Sequence, residues 1–144
     1  MTFDNILCVC TGNICRSPLA ERLLQRALPA LRVSSAGIAA VEGGATPAEA
    51  AAIAEREGLT LTNHRGRQLT SPLVRNADLI LVMEKDQLEW IVSAFPEARG
   101  RVFMLSHWMG GTDIIDPYRQ SADVFEQVYE QIEQSVQAWS ARLR

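Results

Sequence analysis

Past residue 15 the chain has no cysteine: all three thiols stand at positions 8, 10 and 15 of 144 residues. Thiols so closely spaced cannot tie distant parts of a domain together, which excludes a disulfide framework, and a reducing compartment keeps them free. A metal site built from Cys8, Cys10 and Cys15 is not expected either, because no companion His or Cys stands at a recognisable ligand spacing. Long apolar runs are missing as well. None approaches the roughly 18 residues of a membrane helix, and Ile6 to Val9, with no basic region before it, is far too short for a signal sequence. No membrane insertion is therefore expected, and cytoplasm is the expected compartment. With a formal net charge of −3 there is no global basic footprint for nucleic acid. Repeats, linkers and low-complexity stretches are absent. What remains, 47% hydrophobic and 22% charged residues, suits one soluble domain, 1–144, able to bury a real core.

The periodicities alternate. Ile6 to Val9 is a short continuous apolar run of the kind found in parallel strands covered on both faces. A helix follows with Leu19, Leu23, Leu24, Ala27 and Leu28 on one stripe and Pro29 as its stop; Ser17 and Pro18 are its expected N-cap and first residue. Leu31 to Ala36 reads as a second strand. Thr46-Pro47-Ala48-Glu49 has capping-box spacing and opens a helix to Glu57, stopped by Gly58. A polar loop, Asn63 to Thr70, leads to a short helix at Ser71 to Asn76. Asp78 to Met83 is the third strand, Glu84 to Phe95 a helix closed by Pro96, and Arg101 to Leu105 the fourth strand. After a long connection, Ser106 to Gln120, the last helix (Ser121 to Leu143) repeats apolar residues from Val124 to Trp139. Such alternation predicts an α/β fold: a four-stranded parallel sheet with helices on both faces, right-handed crossovers, and ligands at the carboxyl ends of the strands.

At that end of the first strand lies the turn Cys10 to Arg16. A loop feeding a helix N-terminus gathers unpaired N–H groups and the positive end of the helix dipole, which makes it an anion site, here a phosphate-binding loop. Arg16 adds a planar fork for two oxygens of a phosphate-like group. The same field favours a thiolate, so Cys10 is a candidate nucleophile beneath the bound anion. Gly12 permits close backbone approach, and Asn13 tolerates the left-handed region. The Ser17 hydroxyl can donate to the sulfur. On the C-x5-R pattern alone, buried cysteines at an ordinary strand-helix junction explain the turn equally well.

The run Val9-Cys10-Thr11-Gly12-Asn13-Ile14-Cys15-Arg16-Ser17-Pro18 resembles the signature of the low-molecular-weight protein tyrosine phosphatases, and Asp116-Pro117-Tyr118 resembles that family's acid loop. Ser34-Ser35-Ala36-Gly37, His64-Arg65-Gly66-Arg67-Gln68 and Asp78 to Lys85 extend the resemblance over almost the whole chain. It implies a protein-tyrosine phosphatase without a metal or other cofactor. Cys10 would attack phosphorus to form a cysteinyl-phosphate, while Arg16 and the loop Thr11, Gly12, Asn13, Ile14, Cys15 and Ser17 hold phosphate or a similar oxyanion. Asp116 would protonate the leaving phenolate and later activate water. By the same resemblance Ser17 donates to the thiolate, Asn13 shapes the loop, His64 holds Asn13, and Ser35 joins that network. Cys15 matches a second cysteine able to pair with Cys10 under oxidation.

The expected cleft wall departs from the eukaryotic pattern. Val41 and Arg119 stand where those members carry aromatic residues, leaving Tyr118 to stack on a phenyl ring. Asp-Pro-Tyr-Arg, with His107-Trp108 upstream, resembles the bacterial branch associated with exopolysaccharide export, whose members dephosphorylate tyrosine autokinases. That branch makes a phosphotyrosine protein, an autokinase, the expected partner. Arsenate reductases of the same fold need two further cysteines after the third strand, and this chain has none. A phosphotyrosine-binding module without turnover would not require Cys10, Arg16 and Asp116 together.

Overall fold

A computed structural model describes residues 3–143. Strands β1 (Asn5–Cys10), β2 (Arg32–Gly37), β3 (Leu79–Val82) and β4 (Val102–Met104) form one parallel sheet in the order β2-β1-β3-β4. Helices α1 (Arg16–Ala27), α2 (Ala48–Arg56), α3 (Ser71–Asn76), α4 (Lys85–Ala94) and α5 (Ala122–Leu143) connect and cover it. The expected sheet, its helices and the loop after the first strand are all present.

Alternation along β1 divides the core. Ile6, Cys8 and Cys10 join the cluster made with Leu19, Leu23 and Leu24 of α1 and Phe125, Ile132 and Val136 of α5. Leu7 and Val9 face the opposite cluster, with Val74 of α3 and Ile91 of α4. The four residues of β3 are buried on both faces, each side chain contributing about 1.5–3 kcal/mol of burial. Leu81→Ala would accordingly cost about 2–5 kcal/mol. Trp139 closes the end of the α5 face, its indole N–H donating to the Leu105 carbonyl at 2.8 Å. Around it lie His107 and Trp108, given no role by the sequence. Phe103 and Trp108 pack edge-on against Trp139, His107 lies edge-on to both of them and tilted to Trp139, and the Arg142 guanidinium sits 3.8 Å above the Trp108 ring centroid. This cluster pins the last turns of α5 to the segment after β4.

Chain order gives β1 two neighbours reached by connections in opposite directions, β2 on one side and β3 on the other. The crevice that such a switch opens lies beyond the carboxyl end of β1, above Cys10. β2 runs one residue further than expected, to Gly37, because Gly37 pairs with Cys10 and also takes a hydrogen bond from Leu69 and gives one to Arg67. A Cβ at Gly37 would stand 2.5 Å from the Thr11 carbonyl oxygen. Only glycine lets the strand end approach the loop this closely.

Two expected helix caps do not form. α1 begins at Arg16, with Cys15 before it and no side-chain cap, because the Ser17 hydroxyl is engaged inside the loop rather than on the helix amides. α2 begins at Ala48 after Pro47, and the Thr46 hydroxyl is buried without a partner among the described residues, so the expected capping box does not form. Its other end matches expectation, with Gly58 at φ +78° and Leu59 N–H closing on the Ala54 carbonyl.

Candidate active site

Between β1 and α1 the loop curls over the Cys10 sulfur. The Asn13 N–H donates to Sγ at 3.3 Å, and the Ser17 hydroxyl lies 3.0 Å from it. Asn13 Nδ2 donates to that hydroxyl oxygen at 2.8 Å, which leaves the hydroxyl hydrogen for the sulfur. Asn13 carries φ +56° and is fully buried. Its Oδ1 accepts the Arg67 N–H at 2.9 Å and its carbonyl accepts from His64 Nε2 at 2.7 Å. A left-handed non-glycine residue costs roughly 1–2 kcal/mol, and this one is held from both its side chain and its backbone.

Arg16 is 2% exposed. Its Nη1 donates to Glu84 Oε1 at 2.5 Å and to the Ile114 carbonyl at 2.8 Å, and Nη2 lies 4.0 Å from Asp116 Oδ2. Asp116 arrives on the long connection after β4. That segment leaves a 3₁₀ turn at Leu105–Met109 through Gly110 and Gly111, both at positive φ. It is then docked by Ile114, which is buried and donates to the Met83 carbonyl, and by Asp113, whose Oδ1 accepts the Lys85 N–H. Asp116 Oδ1 accepts the N–H of Tyr118 at 3.0 Å, fixing the turn after Pro117.

The resulting cleft, about 260 Å³, has Cys10 and Arg16 at its floor, Asp116 at its mouth, and Ile14, Val41 and Tyr118 along its walls. A thiol, a guanidinium and a carboxylate are thus brought to one place from residues 10, 16 and 116. Burial, then the neighbouring Cys10, Asp116 and others, pushes the Cys15 thiol up; burial, then Glu21 and Cys10, does the same to Cys8. Both stay protonated at neutral pH.

Two expected members are placed elsewhere. Arg119, at φ +64°, does not line the cleft and holds its guanidinium 5.4 Å from the Tyr118 ring centroid. The Ser35 hydroxyl is buried without a hydrogen-bond partner among the described residues and does not join the Asn13 network; its carbonyl does so indirectly, accepting from Arg67 Nε at 2.7 Å. Four participants escaped the sequence reading: Glu84 and Ile114 on Arg16, Arg67 on Asn13, and Gln87, whose Nε2 donates to Thr11 Oγ1 at 3.0 Å. Glu84 and Gln87 straddle a helix start, and their spacing was the one available signal.

Fold and site together place a buried cysteine beneath a loop at a helix start, with an arginine and a carboxylate beside it. A model of the family described as low molecular weight phosphotyrosine protein phosphatase matches residues 5–144. The chain is 49% identical over 142 residues to the low molecular weight protein-tyrosine-phosphatase Wzb of Salmonella typhimurium, covering 98% of this chain and 95% of that protein. Its fold is similar to that of the tyrosine phosphatase Wzb from Escherichia coli K30 in complex with sulphate, with a TM-score of 0.96 and 46% identity over 99% of this chain and all of that one. It is similar also to Vibrio vulnificus Wzb in complex with benzylphosphonate, with a TM-score of 0.95 and 46% identity, covering 98% and 99% of the two chains. The chain belongs to the low-molecular-weight protein-tyrosine phosphatases. No described helix is long and apolar enough to cross a membrane.

Proposed function

We propose that this phosphatase hydrolyses phosphotyrosine in a protein through a cysteinyl-phosphate. The observation that carries the reading is the convergence of the Asn13 N–H and the Ser17 hydroxyl on Cys10 Sγ, at the floor of a cleft that also holds Arg16 and Asp116. In the first step the Cys10 thiolate attacks phosphorus. The S–P bond forms, the P–O bond to the tyrosyl ring breaks, and Asp116 gives its proton to the departing phenolate oxygen. In the second step Asp116, now a carboxylate, takes a proton from water as the water oxygen attacks phosphorus. The S–P bond breaks, and inorganic phosphate leaves with the thiolate restored. Loop amides and Arg16 stabilise the equatorial oxygens in both transition states, and general acid-base help of this kind is worth ~10²–10⁴-fold. The apolar walls Ile14 and Val41, with the half-exposed Tyr118, favour an aryl group over an aliphatic serine or a guanidinium.

Hydrolysis of an aryl phosphate by wild type, Cys10→Ser and Asp116→Ala tests the assignment. Cys10→Ser should be inactive while still binding phosphate, and Asp116→Ala should be slowest with poor leaving groups. Activity of Cys10→Ser equal to wild type would refute the nucleophile. In the cell, the reading extends to a cytoplasmic enzyme acting on a bacterial tyrosine autokinase of exopolysaccharide export. Similarity at 44–49% identity to the phosphatases named Wzb and Etp supports that choice. A test is release of phosphate from an autophosphorylated kinase tail, compared with phosphoserine and phosphoarginine peptides; equal rates on all three would contradict it.

A further inference from the structure

We infer that Glu84, at the start of α4, is the positioning residue for Arg16: it fixes one corner of the guanidinium so that the opposite edge faces the phosphoryl oxygens. The inference rests on the reading that Arg16 binds the phosphoryl group. A guanidinium has five N–H donors in one plane. Both hydrogens of Nη1 are used by the protein, one on Glu84 Oε1 at 2.5 Å and one on the Ile114 carbonyl at 2.8 Å. Nε and Nη2 make no hydrogen bond among the described residues; the nearest acidic group to Nη2, Asp116 Oδ2, is 4.0 Å away. Two hydrogen bonds at one nitrogen fix the plane and leave the Nε/Nη2 edge as a fork for two oxygens of a tetrahedral anion.

Glu84 is itself fixed from behind. Gln87 Oε1 accepts the backbone N–H groups of Met83 and Glu84, both at 2.9 Å, while its Nε2 donates to Thr11 Oγ1 at 3.0 Å. The start of α4 is thereby tied to the loop beside the nucleophile and to its far end at Arg16. With Arg16 only 2% exposed, loss of Glu84 removes one of the two hydrogen bonds that fix the guanidinium plane and leaves the Ile114 carbonyl as the other partner of Nη1. Glu84 does not line the cleft and touches no reacting atom. Its charge opposes the anion while its geometry favours it, and the two effects separate by substitution. Glu84→Gln keeps the reach and the acceptor without the charge. Glu84→Ser keeps a favoured helix N-cap but cannot reach Arg16.

The test measures kcat/KM on aryl phosphates with good and poor leaving groups, inhibition by inorganic phosphate, and thermal melting. For Glu84→Ser, kcat/KM should fall by about tenfold or more, by the same factor for both leaving groups, with phosphate inhibition weakened, as expected when a binding group loses its orientation. For Glu84→Gln, kcat/KM should stay within about threefold of wild type while phosphate inhibits more tightly, because the anchor remains and the site is more positive. A merely structural role would not move phosphate inhibition in opposite directions. Should Glu84→Ser not fold, Glu84→Asp, one methylene short of Arg16, carries the same prediction. Wild-type kcat/KM in the shortened variant would overturn the inference. So would equal losses in Glu84→Gln and Glu84→Ser, or a loss confined to poor leaving groups, which would place Glu84 on the acid loop instead. Arg16→Ala separates the two levels. If it is inactive while Glu84→Ser is normal, only the positioning role fails; if it is active, the reading of Arg16 fails.

Discussion

His64 Nε2 reaches the Asn13 carbonyl at 2.7 Å across 51 residues of sequence. Because a carbonyl only accepts, the ring must carry its proton on Nε2, and the polar loop that brings His64 becomes part of the phosphate-binding loop.

The consequence is a separable strain and contact at Asn13. Its φ of +56° disfavours alanine by roughly 1–2 kcal/mol, and glycine relieves this. Asn13→Gly should therefore unfold at higher urea than Asn13→Ala. Both lose the bonds to Ser17 and Arg67, so kcat should fall in each by about tenfold to a hundredfold through misplacement of the sulfur's donors. Equal urea midpoints would show that the loop relaxes when the asparagine is removed.

Thiol chemistry separates the three cysteines. Burial pushes the Cys8 and Cys15 thiols up, and a thiol that stays protonated is a poor nucleophile. Iodoacetate at neutral pH should label Cys10 first, and inorganic phosphate should slow that labelling. The other two should react only after denaturation. Peptide mapping that finds Cys15 modified as early as Cys10 would contradict this.

A pH-dependent contribution to stability lies at the opposite end of the sheet. The Asp78 carboxylate accepts the backbone N–H groups of Asp4 at 2.8 Å and Asn5 at 2.9 Å, which hold it below the usual carboxylate range. A folded value below the unfolded one means stabilisation that is complete above the unfolded value and lost as pH falls through the folded one. Asp78→Asn should accordingly be less stable than wild type at pH 7, and the gap in urea midpoint should close below about pH 4. A gap that stays constant down to pH 2 would rule out the charged carboxylate as its source.

Much of this site was legible because its chemistry is local. The apolar run of β3 needs only its own side chains to declare a buried strand, and Cys10, Asn13, Arg16 and Ser17 sit within one turn. What escaped depends on distant partners. Ser17 has the residue type of an N-cap, yet the sulfur and Asn13 compete for its hydroxyl and the helix starts without it. Thr46 has capping-box spacing, yet α2 starts at Ala48 after Pro47 and the Thr46 hydroxyl finds no partner among the described residues. Arg119 follows the cleft tyrosine in sequence, but it sits at a left-handed backbone position, its guanidinium lies over that ring, and it does not line the cleft. Glu84 lies 68 residues from Arg16, and nothing in either neighbourhood announces their pairing.

Acid quenching of Asp116→Ala during turnover of a labelled aryl phosphate with a good leaving group tests the covalent route most directly, since formation of the intermediate then needs no general acid while loss of the general base slows its breakdown. Phosphate should be recovered covalently on the peptide containing Cys10, in an amount approaching one per chain, and should be absent from Cys10→Ser. Label on Ser17, or turnover at the wild-type rate with no label on any residue, would contradict a cysteinyl-phosphate.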